Sequence, residues 1–359
     1  MWSAQGCKSP LPDSTARVLS TPLAAIFGCS GTVLNEAEVA FFRETNPFGF
    51  ILFARNISDP AQVRTLVADL RAAVGRGDAP VLIDQEGGRV ARLRPPYWQE
   101  RPAGRLFGEI YDRNADAGKR AARLNAALIG VELAALGIDV DCAPVCDVPV
   151  PGAHDIIGDR AYHMDPDIIA TLADEVCEGL AMAGIMPVIK HIPGHGRAMA
   201  DSHLDLPTVG AEPEMLETTD FLPFRRLNGA PWGMTAHIIY SEIDHRLPAT
   251  LSAHVVKKVI REQIGFDGLL LTDDLSMKAL TGSFDDRAIA AQQAGCDIVL
   301  HCNGDMTEMQ EVARGTEEMS PDAVRRAEAA RSWLNARRKD FDIADAEVEL
   351  GGIMASSPE

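Results

Sequence analysis

Basic residues are scarce in this chain, which has 34 Lys and Arg against 52 Asp and Glu among 359 residues and a net charge of −18. Nucleic acids and anionic membranes attract basic surfaces, so we expect neither as a partner. The sequence also lacks an apolar run of the roughly 18 residues that a membrane helix needs. Residues 1–16 contain no apolar stretch after a basic start, which argues against a secretory signal.

Cysteine is sparse and scattered, with seven residues in the whole chain. An odd number at irregular spacing does not indicate a disulfide framework, and it favours a reducing cytoplasm as the location. Hydrophobic residues at 46% and charged residues at 24% are typical of an ordinary globular protein. We therefore expect a soluble cytoplasmic protein, and we expect a monomer.

Eight short apolar runs rich in Val, Ile and Leu recur along the chain. Their interiors, such as VLID, LLLT and DIVL, are continuously apolar, as strands of a parallel sheet must be when both faces are covered. The eight runs are Ala24 to Gly31, Phe48 to Arg55, Pro80 to Glu86, Ile138 to Pro144, Pro187 to Gly194, Trp232 to Tyr240, Gly268 to Asp274 and Cys296 to Cys302. They predict eight buried strands.

Helical patterns fill most of the segments between the strands. Asp59 to Gly75 opens with Asp-Pro and repeats its apolar positions at helical spacing. Similar patterns occupy Ala117 to Leu136, Pro166 to Ala183, Glu212 to Leu227, Ser252 to Ile264, Arg287 to Ala294 and Pro321 to Arg338. This alternation predicts an α/β fold, a single-domain (β/α)₈ TIM-like barrel, although an open doubly wound sheet has the same pattern.

No composition shift or low-complexity linker marks a second domain. We assign residues 21–340 to the catalytic barrel, residues 1–20 to an N-terminal extension and residues 341–359 to a C-terminal tail that we expect to fray.

Polar residues cluster where five of the predicted strands end, the position at which barrel enzymes carry their active sites. The strand ends are Asp84 to Arg89, Lys190 to Gly196, Thr235 to His237, Thr272 to Asp274 and His301 to Asn303. Each feature has a structural alternative. Asp84 or Asp274 could be the N-cap of the next helix. Asp159 and Arg160 could form a solvated pair, His237 could be a core histidine and Asn303 a turn residue. Buried charge at five strand ends is too costly to be accidental, and together they favour a site.

A metal site is the first alternative for this cluster, because His191 and His195 have the spacing of a zinc-binding helix. Pro193 and Gly194 lie between them and make a helix improbable. We therefore predict no metal and no other cofactor. The single Gly-x-Gly at Gly194 to Gly196 is also too little for a phosphate-binding loop.

A sugar suits the remaining residues best. Asp273 is a carboxylate at the end of the seventh strand, and Asp201 and His203 form an Asp-x-His pair. Cleavage of a glycosidic bond uses a carboxylate and a proton donor on either side of the bond. The hydrogen-bonding side chains available for sugar hydroxyls are Asp84, Arg92, Arg160, Lys190 and His191.

Several segments resemble the glycoside hydrolase family 3 β-N-acetylglucosaminidases of the bacterial cell-wall recycling type. The most specific are KHIPGHGRAMADSH (Lys190 to His203) and LTDDLSMKAL (Leu271 to Leu280). The others are NPFGFILFARNI (Asn46 to Ile57), IDQEGGRVARL (Ile83 to Leu93), IGDRAY (Ile157 to Tyr162) and TAHIIY (Thr235 to Tyr240). They occur in the expected order from about residue 23 to about residue 303.

The resemblance implies a retaining exo-β-N-acetylglucosaminidase that releases N-acetylglucosamine from GlcNAc-1,6-anhydro-MurNAc peptides. It implies that Asp273 is the nucleophile and that His203, paired with Asp201, is the general acid/base. The sugar-binding positions of the family correspond to Asp84, Arg92, Arg160, Lys190 and His191. We expect Asp274 to be structural, and the glycine-containing segment from Pro193 to His203 to be a mobile loop.

Three other functions stay open at this point. A related β-hexoside glycosidase or phosphorylase would use the same site on another acceptor or sugar. A metal-dependent barrel hydrolase would use a different mechanism. A non-catalytic muropeptide-binding protein would bind the sugar without cleaving it.

Overall fold

Eight parallel strands close into one barrel in the computed structural model, which describes residues 21–199, 202 and 206–356. They are β1 (Leu23–Phe27), β2 (Pro47–Leu52), β3 (Val81–Ile83), β4 (Val140–Asp141), β5 (Met186–Ile192), β6 (Trp232–Thr235), β7 (Leu269–Asp274) and β8 (Ile298–His301). Their order around the barrel is β1-β8-β7-β6-β5-β4-β3-β2. The predicted (β/α)₈ barrel is confirmed. The predicted N-terminal extension, residues 1–20, lies outside the described residues.

Alternate residues of each strand face the barrel interior and the surrounding helices. Ile26 and Leu82 belong to the apolar cluster inside the barrel, whereas the neighbouring Phe27 and Ile83 belong to the cluster between strands and helices. All four are completely buried. Strands with both faces covered need apolar residues at every position, which explains the continuous runs in the sequence.

Eleven α-helices are found in the described part of the chain. They are α1 (Glu36–Thr45), α2 (Pro60–Val74), α3 (Gly104–Arg113), α4 (Ala115–Ala134), α5 (Pro166–Met182), α6 (Pro213–Thr218), α7 (Leu222–Arg226), α8 (Phe284–Ala294), α9 (Met306–Gly315), α10 (Pro321–Arg337) and α11 (Ile343–Ala355). A π-helix spans Val255–Gln263, and short 3₁₀ turns span Ala54–Asn56, Gly158–Arg160 and Ala249–Leu251. In the same ranges, no helix combines the length and the apolar character needed to cross a bilayer.

The ends of α2 show how the sequence sets a helix boundary. The Asp59 side chain accepts hydrogen bonds from the backbone N–H groups of Ala61 and Gln62 and so caps the first turn. At the other end Gly75 has a φ of 67°, a left-handed conformation that glycine adopts without strain. The predicted helix over Asp59 to Gly75 is confirmed with these two residues as its caps.

The C-terminal tail differs from the expectation that it frays, because α11 is a regular helix packed against α4. Ala346 and Leu350 are buried in the contact, and Ile353 extends the same face at helical spacing. Glu347 of α11 lies 2.8 Å from Arg101, which precedes α4 in the chain. Glu349 of α11 lies 2.6 Å from Arg120 of α4. The expectation of a frayed tail is therefore wrong for residues 343–355.

Candidate active site

A cavity of about 460 Å³ opens at the end of the barrel where the strands terminate. Its polar lining comes from residues that end a strand or lie in the segment after one, as the parallel topology requires. The polar and charged residues of the lining are Asp84, Glu86, Arg89, Arg92, Arg160, Lys190, His191, Asp273 and Asp274. Phe53, Met234, Met277 and Cys302 are among its apolar members.

A small hairpin after β3 brings Arg92 back to Asp84. Its two strands are Gln85–Gly87 and Val90–Ala91, and the turn between them needs Gly87 and Gly88, with φ values of 96° and 56°. The Gln85 side chain accepts hydrogen bonds from the backbone N–H groups of Arg92 and Leu93. Arg92 Nη2 consequently lies 3.0 Å from Asp84 Oδ2.

Lys190 is the buried cation at the centre of the polar ring. Its Nζ lies 2.9 Å from Asp84 Oδ1 and 2.6 Å from Glu86 Oε1. Burial opposes the charge of the ammonium, but the two carboxylates outweigh burial and raise the pKa of Lys190. Burial likewise opposes ionisation of Asp84, but Lys190 and Arg92 hold the pKa of its carboxyl well below the usual range. Both groups are therefore charged at neutral pH.

Glu86 joins Lys190 to Arg160. Arg160 donates from Nε and Nη2 to the two oxygens of Glu86, each at 2.8 Å. Burial opposes ionisation of Glu86, but Arg160 and Lys190 outweigh it and lower the pKa of Glu86 to about 2. Arg160 pairs with Glu86 and is largely buried, so the solvated pair with Asp159 considered from the sequence is not formed.

Asp147 fixes the orientation of His191. The chain after β4 continues beside β5, where the backbone N–H of Cys146 donates to the Lys190 carbonyl, and this contact places Asp147 opposite His191. Asp147 Oδ2 lies 2.7 Å from His191 Nδ1. Burial opposes ionisation of Asp147, but the neighbouring imidazoles His191 and His195 contribute to lowering its pKa to about 2. An ionised carboxylate accepts only, so Nδ1 carries a proton and Nε2 is the ring nitrogen left for a ligand.

Asp273 and its neighbour Asp274 end β7 with different contacts. Asp273 lines the cavity, and its Oδ1 accepts from the backbone N–H of Asp274 at 2.8 Å. Asp274 accepts from the backbone N–H and the hydroxyl of Ser276, and from the backbone N–H of Cys302 at 3.1 Å. These are the contacts of a residue that caps the following turn, as expected for Asp274.

The structure brings together six of the eight predicted site residues around one cavity: Asp273, Asp84, Arg92, Arg160, Lys190 and His191. Asp201 and His203 lie outside the described residues, and so does Ala200 in the same Pro193 to His203 segment, which we expect to be a mobile loop. Their proposed roles stay predictions.

Two strand-end residues do not line the cavity. His237 is completely buried, with Nδ1 2.7 Å from Thr250 Oγ1 and Nε2 donating to the Asp274 carbonyl, as expected of a core histidine. Asn303 Oδ1 accepts from the backbone N–H of Asp305 and so serves the following turn. Both alternatives named from the sequence apply to these residues.

His191 and His195 do not share a helix, because the chain between them is the end of β5 and the turn after it. Their rings meet edge to face at 5.6 Å between centroids. Within the described ranges, no group of three His, Cys, Asp or Glu side chains is arranged to hold a metal ion. The zinc-binding helix considered as an alternative from the spacing of the two histidines is therefore not formed.

Sequence reasoning missed the two buried carboxylates that support the ring, Glu86 and Asp147. Glu86 immediately precedes the turn at Gly87 and Gly88, and Asp147 lies six residues beyond the two-residue strand β4. Glu86 ends a predicted strand and Asp147 follows one closely, so an inspection of every carboxylate near a strand end could have found them. Phe53 was also missed. Its ring lies 5.1 Å from the guanidinium carbon of Arg92 and supports that side chain by a cation–π contact.

Charged groups gathered at the carboxyl ends of the strands are the arrangement of a barrel enzyme's active site. Comparisons with known proteins give the family. The sequence matches the glycosyl hydrolase family 3 N terminal domain over residues 30–330. The chain belongs to this family and is a glycoside hydrolase.

Named relatives make the comparison more specific. A beta-hexosaminidase of Thioalkalivibrio sulfidiphilus is 41% identical over 76% of this chain and 78% of its own. Another, from Aromatoleum aromaticum, is 36% identical over 90% of each chain. The crystal structure of NagZ from Neisseria gonorrhoeae in complex with N-trifluoroacetyl-D-glucosamine superimposes with a TM-score of 0.82 at 32% identity, covering 93% of this chain and 98% of that one. The family predicted from the motifs is confirmed.

Proposed function

We propose that this β-hexosaminidase is a retaining exo-β-N-acetylglucosaminidase that removes terminal N-acetylglucosamine from GlcNAc-1,6-anhydro-MurNAc peptides in the cytoplasm, as a step of peptidoglycan recycling. The observation that carries the proposal is the single cavity shared by Asp273 and five sugar-binding candidates. Its volume of about 460 Å³ lies in the lower half of the usual range of roughly 300–1,000 Å³ for small-ligand sites, which suits a terminal sugar better than a long chain.

The ring of charged groups supplies directed contacts for the hydroxyls of one sugar. Asp84 accepts hydrogen bonds, whereas Arg92, Arg160 and Lys190 donate them. The cations are already paired with buried carboxylates, so their orientation is set before the sugar arrives. Such preorganisation reduces the entropy lost on binding and orients C1 towards Asp273.

In the proposed reaction a carboxylate oxygen of Asp273 attacks C1 of the sugar, and the bond from C1 to the leaving oxygen breaks. The imidazolium of His203 gives its proton to that oxygen, and Asp201 favours the protonated form of His203. Water then attacks C1 and releases Asp273, while neutral His203 takes a proton from the water. Two displacements at C1 retain the anomeric configuration.

The cytoplasmic location is supported by the six described cysteines, which are all free and buried. The oligomeric state that we propose is a monomer, which equilibrium sedimentation would test directly.

A leaving-group experiment tests the function. We expect the protein to release N-acetylglucosamine from GlcNAc-1,6-anhydro-MurNAc, and we expect His203→Ala to impair this reaction far more than hydrolysis of an aryl glycoside with an acidic phenol as leaving group. Only a poor leaving group needs a proton in the transition state. Equal loss on the two substrates would exclude His203 as the acid. Formation of a sugar 1-phosphate in phosphate buffer would identify a phosphorylase instead.

A further inference from the structure

We propose that His195 is a positioning residue, which fixes Ser202 by a hydrogen bond and thereby sets the placement of the two residues bonded to Ser202, Asp201 and His203. This inference rests on the proposed function, because it requires His203 to be the general acid/base. It adds a residue that neither touches the sugar nor exchanges the proton, yet controls how efficiently the proton is delivered.

The contact itself joins two buried side chains. His195 Nε2 lies 2.9 Å from Ser202 Oγ, and the two residues are 3% and 2% exposed. Protected from water, this hydrogen bond does not compete with solvent and costs more to break than one at the surface. The two residues are seven positions apart along the chain, so the bond fixes Ser202 relative to the end of β5.

The backbone on which His195 stands is held on several sides. Its N–H donates to Asp147 Oδ1 at 2.6 Å, and the Tyr240 hydroxyl donates to the carbonyl of Gly194. Gly196 packs so closely that an added Cβ would lie 1.9 Å from the Val148 carbonyl oxygen. The next residue, Arg197, pairs with Asp220 at 2.6 Å. These contacts hold His195 in one position, and the Ser202 side chain is hydrogen-bonded to it.

Asp147 connects His195 with the group of sugar-binding side chains. One of its oxygens accepts from the ring of His191, which lines the cavity, and the other accepts from the backbone of His195. A single buried carboxylate thus fixes the position of a sugar-binding imidazole relative to the residue that holds Ser202. Asp147, His195 and Ser202 thus connect the sugar site with the chain positions of Asp201 and His203.

His195 is suited to positioning and not to proton donation. Burial, together with the charge of His191, lowers the pKa of its imidazole to about 4 against the opposing effects of Asp147 and Asp273. A neutral ring is the predominant form at pH 7, and it keeps its hydrogen bond to Ser202 across the range in which His203 would work.

Kinetics with two leaving groups test the proposal. For Ser202→Ala we expect kcat/KM on GlcNAc-1,6-anhydro-MurNAc to fall by about tenfold to a hundredfold, since a misplacement of ~1 Å can cost about a hundredfold. On an aryl glycoside with an acidic phenol, we expect a fall of less than about twofold, because that substrate needs no proton. Ser202→Thr keeps the hydroxyl and should restore most of the loss.

Variants of His195 provide the second arm. His195→Gln keeps a polar group near the position of Nε2 and should be milder than His195→Phe, which removes it. Combined with His195→Phe, Ser202→Ala should cause no further loss, because both remove the same bond. Ser332→Ala is the matched control. Its hydroxyl bonds only the carbonyl of Glu328 in the same helix among the described contacts, and thermal unfolding should show all variants folded.

The outcomes separate this inference from the proposed function. If His203→Ala distinguishes the two leaving groups but Ser202→Ala and His195→Phe lower both rates equally, or lower neither, the positioning role is wrong and the function stands. If His203→Ala itself affects both substrates equally, the proposed acid/base is wrong, and the inference fails with it.

Discussion

Glu86 holds Arg160 by two parallel hydrogen bonds of 2.8 Å each, and both side chains are nearly buried. The same carboxylate lies 2.6 Å from Lys190 Nζ. Two of the cations that we assign to sugar binding therefore depend on one carboxylate behind them. Removal of its charge would take from Arg160 the carboxylate that holds it and leave Lys190 with Asp84, which is the costly way to break a buried ion pair.

Glu86→Gln should consequently lower both stability and sugar affinity. We expect the free energy of unfolding to fall by about 3 kcal/mol, a typical cost of breaking a buried pair. We also expect KM for the sugar substrate to rise, because Arg160 and Lys190 lose their fixed orientation. Urea unfolding and steady-state kinetics measure the two effects. Glu328→Gln removes an exposed charge from α10 and is the control. An unchanged KM in Glu86→Gln would contradict the supporting role.

Asp273 and Asp274 are adjacent, and we predict opposite consequences for their removal. Asp273→Ala should reduce kcat on every substrate by on the order of 10⁴ or more, as loss of a nucleophile does. Asp274→Asn should retain measurable turnover and lose on the order of 1 kcal/mol of stability, because its contacts are to Ser276 and Cys302. Kinetics and thermal unfolding of both variants distinguish them. If Asp274→Asn were as inactive as Asp273→Asn, the structural assignment of Asp274 would be wrong.

We predict that replacement of Asp141 by a neutral residue stabilises the protein at high pH. Burial raises the pKa of its carboxyl from 3.8 to about 7 in the folded protein. Below pH 4 the carboxyl of Asp141 is protonated in both the folded and the unfolded protein, and its burial then causes no loss of stability. As the pH rises towards 7 the unfolded protein ionises this carboxyl first, so the free energy of unfolding declines. Asp141→Asn stays neutral, so it should stabilise the protein at pH 8 relative to the wild type and have little effect at pH 4.

Urea unfolding at the two pH values measures this difference. Three pKa units correspond to about 4 kcal/mol at most, and we expect a gain on the order of 2 kcal/mol at pH 8. Asp69→Asn removes an exposed carboxylate from α2 and is the control. A gain of equal size at pH 4 and pH 8 would mean that the titration of Asp141 does not contribute.

We predict that a substitution in the C-terminal helix α11 destabilises only that helix. Leu350 is 3% exposed against α4, whereas Val348 on the same helix is 77% exposed. Leu350→Ala should destabilise α11 by about 2–3 kcal/mol through the cavity that it leaves, and Val348→Ala should not. Hydrogen exchange read out by peptide would then show faster exchange over 343–355 in Leu350→Ala with the barrel strands unchanged. Identical exchange in the two variants would show that α11 is not held by Leu350.

The eight strands could be predicted because burial on both faces demands a continuous apolar run, as in Leu269 to Leu271. The helices could be predicted where the apolar face is wide. Helix α1 was missed because it buries few residues, although its Asn35 and Glu38 form a reciprocal capping box that is visible in the sequence. Helix α11 was missed because small residues and a terminal position resemble a loose tail.

The site was predictable to the extent that its residues follow strand ends. Asp84, Lys190 and Asp273 do so directly, and motifs added Arg92 and Arg160. The contacts that hold these side chains depend on how separate segments meet, and a sequence does not contain those distances. Glu86 shows the difference, because its role is defined by Arg160, which lies 74 residues away along the chain.

Trapping of the glycosyl-enzyme tests the central claim most directly. Incubation with a 2-deoxy-2-fluoro glucoside or a 5-fluoro N-acetylglucosaminide slows the second step, and peptide mapping by mass spectrometry then locates the bound sugar. We predict that the adduct lies on Asp273 and that the product sugar keeps the β configuration. A sugar attached to any other side chain, or a product released as the α anomer, would contradict the mechanism.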